Sequence, residues 1–157
     1  MKRAGILLAC FVVGSTVVFG FVFGLLAFIR GGATLPVPVE PFNLQFGFEM
    51  GLYGMFHWAL LAMTTFPIFV LPLAALMGAL RLWPTLLAHW KRSLPFIAGL
   101  AAFGVVARAM ILERPTLFTN PTVFITSIVL TLNAVCELFA FGGGLLVSVA
   151  GLRALEP

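Results

Sequence analysis

The chain has 157 residues, of which 62% are hydrophobic and only 9% charged, and its mean hydropathy is +1.16; soluble domains carry about one-quarter charged residues. That excludes an ordinary soluble domain and leaves room for one compact bundle of about four membrane-length segments of some 20 residues each. The formal charge of +4 comes from cations at segment ends, without a basic stripe interleaved with aromatics, so it points to orientation in a membrane and away from nucleic acid.

The first apolar run predicts a helix from about Ala4 to Ile29, opened by Lys2 and Arg3 and closed by Arg30. Cys10 follows Leu7, Leu8 and Ala9, as in a lipoprotein signal. The apolar run continues far beyond it with no small-residue cleavage site, so an uncleaved first helix is expected. Thr16, Gly20 and Gly24 recur every four residues and put three small side chains on one face, where a second helix can approach closely.

Residues 31–48 interrupt the pattern. Pro36, Pro38 and Pro41 disfavour a helix interior and suit an extended connection. Phe42, Phe46 and Phe48 around Asn43 and Gln45 would suit an interfacial segment, although a plain connecting loop is the simpler reading. The second helix is expected from about Met50 to Leu82, long enough to require tilt or a kink. Pro67 and Pro72 supply the kink, and Thr64 and Thr65 stand where they can bond the carbonyls freed by it.

The connection from Trp83 to Leu94 holds Trp83, His89, Trp90, Lys91 and Arg92, a pattern suited to an interface anchor. The third helix is expected over Pro95 to Glu113, with Pro95 in its first turn and Arg108 inside it. The fourth is expected over residues 122–151 and carries Glu137. Lys2, Arg3, Arg81, Lys91, Arg92 and Arg153 then fall on one side, and Arg30 and Arg114 on the other. The positive-inside rule places both termini in the cytoplasm. The fold class expected is an all-α integral membrane bundle of four helices, a single domain over residues 1–157, multi-pass in a bacterial inner membrane.

Counting 1.5 Å per residue from the outer helix ends puts Glu137 at a depth of about 24 Å, Asn133 at about 18 Å, Thr16 at about 20 Å and Thr64 at about 21 Å. A mid-membrane polar layer of Glu137, Asn133, Thr16, Thr64, Thr65 and Ser15 follows. On the fourth helix Thr126, Asn133, Glu137, Gly144, Ser148 and Gly151 share one face, which is expected to turn into the bundle or onto a protein partner. Gly20, Gly24, Gly144 and Gly151 are the expected packing glycines.

Arg108 at about 8 Å and His57 at about 10 Å form a second, outer level. An offset of about 16 Å argues against a direct Arg108–Glu137 pair; Arg108 is expected to snorkel outward and Glu137 to be a protonated acid bonded to Asn133 or a threonine.

No HExxH, GxSxG, paired carboxylates or glycine-rich phosphate loop occurs, so enzymatic chemistry is not indicated. Cys10 and Cys136 lie apart in apolar runs without metal-ligand spacing, so no metal site is expected. The primary expectation is a non-enzymatic subunit that packs, among membrane lipids, against other subunits or against copies of itself. One alternative is a small transporter or channel subunit using Glu137 for proton or cation coupling. The other is a b-type haem or quinone-associated subunit with His57 as an axial ligand; otherwise no cofactor is predicted.

Overall fold

The computed structural model describes residues 2–32, 38–64, 90–112 and 128–154, together with positions 72, 74, 75 and 78. Four helices are defined among them: α1 (Lys2–Arg30), α2 (Leu44–Thr64), α3 (Trp90–Leu112) and α4 (Ile128–Ala154). Two are long and apolar enough to cross a membrane, over Gly5–Arg30 and Ala134–Ala154. The central helix is α1, packed between α2 and α4, while α3 lies against α4.

α1 ends at Gly31, whose φ of 68° is the left-handed geometry a helix stop favours and which costs glycine nothing. Its N–H donates to the Ala27 carbonyl at 2.8 Å. Gly32 and Val39 then form an isolated antiparallel bridge. The chain is tied back where the Phe42 N–H donates to the Phe28 carbonyl at 2.6 Å and the two rings meet edge-on with centroids 5.6 Å apart.

Helix α2 begins at Leu44, not near Met50, so part of the expected interfacial loop is helical. The reason is local. The Asn43 side-chain oxygen accepts from the Phe46 N–H at 2.9 Å, which satisfies one of the otherwise unbonded donors of a first turn. Gln45 and Glu49, one turn apart, are joined at 2.9 Å.

The early start matters because it brings Gly47 into the crossing with α1. A methyl group on Gly24 would lie 2.6 Å from the Gly47 carbonyl oxygen, and one on Gly20 would lie 2.7 Å from that of Gly51. Backbone thus meets backbone, as small residues four apart on both helices permit. The expected continuation of helix 2 to Leu82, including the kink at Pro67, lies largely outside the described residues; within it Pro72 is helical and buried.

Helix α3 begins at Trp90, so Pro95 stands in the second turn of the helix and not in its first. α4 runs to Ala154, beyond the expected end at residue 151, and the expected start over 122–127 lies outside the described residues. The core is aromatic at its centre. Trp58 of α2 stacks on Phe19 of α1 with centroids 4.5 Å apart and meets Phe141 of α4 edge-on at 5.6 Å, both favourable arrangements for ring quadrupoles.

Apolar side chains cover much of the outside of α1 and α2 as well as the core, which encloses a few polar groups. Val13, Val17, Phe21 and Leu25, four apart on α1, are exposed, as are Phe48, Leu52, Phe56 and Leu60 on α2. Ser15, Glu137 and Ser148 are buried.

Candidate functional site: a buried ion pair in an aromatic cavity

Arg108 and Glu137 form a salt bridge: Nη1 of the guanidinium stands 2.8 Å from Oε1 of the carboxylate. The Glu137 side chain is 4% exposed and that of Arg108 19%, so the pair is largely removed from solvent. This overturns the expected separation of the two residues into different levels. Depth counts taken from expected helix ends carry an error of several ångströms for every few residues by which an end is misplaced; the contact itself puts the two side chains at one level.

The expectation of a protonated Glu137 rested on the lack of a cation beside it. Arg108 is the basic partner that stands beside it.

Local sequence explains why the pair meets. Ile97, Ala101, Gly104 and Arg108 recur every three or four residues on α3. Ile97 and Ala101 are buried. A methyl on Gly104 would stand 2.9 Å from the Phe141 ring, so this stripe faces α4 and delivers Arg108 to it.

On α4 the polar stripe faces the chain's own bundle. Gly144 packs on Phe11, and a methyl on Gly151 would stand 2.8 Å from the Cys10 sulfur. The Ser148 hydroxyl is directed at both the Leu7 carbonyl of α1, 3.0 Å away, and the Gly144 carbonyl of its own helix, 2.9 Å away. Ser148 was visible in the sequence as part of that stripe; its bond to α1 was not.

The ion pair lines a cavity of about 170 Å³ together with Phe19 and Phe23 of α1 and Tyr53, Gly54, His57, Trp58 and Leu61 of α2. All four helices contribute. Arg108 and His57, expected at one level, do line the same space. The Tyr53 and His57 rings lie parallel, 13° apart in plane, with centroids at 6.1 Å. The role of Tyr53 and Trp58 escaped the sequence reading, although Tyr53 stands one helical turn from His57 and Trp58 beside it.

Of the other polar groups expected in a mid-membrane layer, Ser15 and Thr16 are among the described side chains. Ser15 is buried and donates to the Val12 carbonyl of its own helix at 3.1 Å. Thr16 has a buried hydroxyl with no hydrogen-bond partner among the described residues. Thr64 ends α2, but its side chain, that of Asn133 and the whole of Thr65 lie outside the described residues. Among the described residues no group of three His, Cys, Asp or Glu side chains is placed to hold a metal ion.

A larger recess of about 470 Å³ runs along the α1/α2 crossing between Val17 and Phe48 and carries no ionisable side chain in its lining. No family model, curated protein or solved structure matches this chain.

Proposed function

We propose that this chain is a small, non-enzymatic integral membrane protein whose four helices cross the membrane as one bundle, both termini cytoplasmic, and which packs within a larger or oligomeric bacterial inner-membrane complex. The observation that carries the reading is the apolar exterior: apolar side chains line the outside of α1 and α2 while the charged pair Arg108–Glu137 is enclosed. Charges inside a membrane bundle face one another, because lipid cannot solvate either partner. The pair then fastens α3 to α4, as the glycine crossing fastens α1 to α2.

Extraction in a mild detergent followed by mass determination tests the assembly. A particle heavier than one chain is expected, and a monodisperse monomer refutes it. Labelling single engineered cysteines from each side of sealed vesicles tests the orientation; a terminus reactive only from outside refutes it.

A second reading, a small transporter or channel subunit that uses Glu137 for proton or cation coupling, is favoured by the convergence of Glu137, Arg108, His57 and Tyr53 on one cavity. A carboxylate whose counter-charge can be exchanged is what coupling needs. Glu137→Gln should abolish proton-coupled uptake in reconstituted vesicles, and undiminished uptake would rule the reading out.

A further inference from the structure

We propose that the cavity between α1, α2, α3 and α4 is an aqueous vestibule, which holds water against the Arg108–Glu137 pair and opens past Tyr53 and His57 on α2. The proposal rests on the membrane reading above, since only in a bilayer does water inside the bundle differ from what surrounds its outer face.

The lining selects the occupant. A cavity with apolar walls stays dry, whereas one that is roomy and offers a water molecule two to four polar partners takes it up. Of the nine residues around this cavity, Arg108, Glu137, His57 and Tyr53 carry charged or polar groups. Its volume of about 170 Å³ is several times the roughly 30 Å³ that a molecule of liquid water occupies. Ionisable groups inside membrane bundles face one another or a water-filled space. Arg108 and Glu137 do the first at 2.8 Å, and the cavity provides the second.

Burial is graded across the space. Tyr53 and His57 are exposed, Arg108 is half-buried, and Phe19, Trp58 and Glu137 are buried. The mouth is therefore on the α2 side, with the carboxylate at the floor. Among the described residues α2 packs chiefly on α1 and α3 on α4, which leaves the opening between α2 and α3. The recess along the α1/α2 crossing is the internal contrast: its lining, Leu52 included, is wholly apolar, so lipid tails and not water belong there.

The consequence concerns Glu137. A carboxylate sealed in a dry bundle cannot exchange a proton or a counter-charge with the outside, whereas one at the floor of a vestibule can. The pair is then a hydrated contact within reach of solvent, which coupling through Glu137 would require.

The test is thiol labelling along α2. Single cysteines are placed in neighbouring pairs: Leu52→Cys with Tyr53→Cys, Phe56→Cys with His57→Cys, and Leu60→Cys with Leu61→Cys. The second position of each pair lines the cavity and the first does not, while their depths differ by only about 1.5 Å. The full-length protein in lipid vesicles is exposed on both faces to a charged, membrane-impermeant methanethiosulfonate. Adducts are located by peptide mass spectrometry, which separates them from Cys10 and Cys136. The reacting species is the thiolate, which apolar surroundings suppress, so Tyr53→Cys, His57→Cys and Leu61→Cys should react at least about tenfold faster than their neighbours. Equally slow reaction at all six positions overturns the vestibule and leaves the membrane reading standing. Equally fast reaction at all six overturns both, because α2 would then lie in water on every side. If Leu61→Cys does not fold, the pairs at the exposed positions Tyr53 and His57 decide the matter by themselves.

Discussion

Replacing either half of the Arg108–Glu137 pair should destabilise the bundle, and replacing both should restore much of the loss. The pair is close, at 2.8 Å, with side chains 19% and 4% exposed. Opposite unit charges some 4 Å apart attract by about 4 kcal/mol at an effective dielectric constant near 20. Removing one partner of a buried pair costs about 3–5 kcal/mol, much of it from the charge left behind, whereas replacing the whole pair by apolar groups of similar volume is often neutral.

Glu137→Gln and Arg108→Met should therefore each cost about 3 kcal/mol, and the double variant should lie well short of the sum of about 6. In thermal unfolding of the purified protein in micelles, about 3 kcal/mol corresponds to a fall of roughly 6–12 °C for a chain of this size. Additive losses in the double variant, or single variants within about 0.5 kcal/mol of wild type, would show that the two charges do not support each other.

Three further substitutions probe the scaffold. Gly24→Leu forces a side chain into a site where even a methyl stands 2.6 Å from the Gly47 carbonyl oxygen; a loss of about 2–3 kcal/mol or more is expected, read by the same unfolding assay. Ser148→Ala removes the hydroxyl that joins α4 to the Leu7 carbonyl and should cost about 1 kcal/mol, with faster hydrogen exchange in the first turns of α1. Asn43→Ala removes the α2 cap, should cost about 1 kcal/mol, and should speed exchange at the Phe46 amide while leaving α4 unaffected.

How much of this was legible in the sequence depended on whether the property belongs to one helix or to two. Apolar runs and a face of small residues are periodic within a single segment, so α1 and α4 were readable, as was the grouping of Glu137, Gly144, Ser148 and Gly151. The start of α2 was obscured because prolines and phenylalanines suggested a loop. Asn43, two residues after Pro41 and just ahead of Leu44, was the available signal for a helix start, and Gly47 stood four residues before Gly51.

The Arg108–Glu137 contact was hidden for a different reason. Depth counts assume that helix ends are level, and an error of one or two turns moves a side chain by about 5–10 Å, enough to separate on paper two residues that touch. Which helix borders which is equally absent from periodicity: α4 packs on α1, the helix farthest from it in the chain.

In the proposed membrane setting that arrangement implies an order of assembly. α1 and α2 are neighbours in sequence and meet through their glycines, so this half can close while the rest of the chain is still being made. The other half cannot close so early. Arg108 emerges with α3, and its counter-charge is not synthesised until α4. In the proposed membrane setting α3 and α4 would therefore enter as a neutralised hairpin, and α4 would then find α1 already in place as the surface on which the bundle is completed. In that setting a chain cut short after α3 would carry its arginine without the carboxylate that pairs with it.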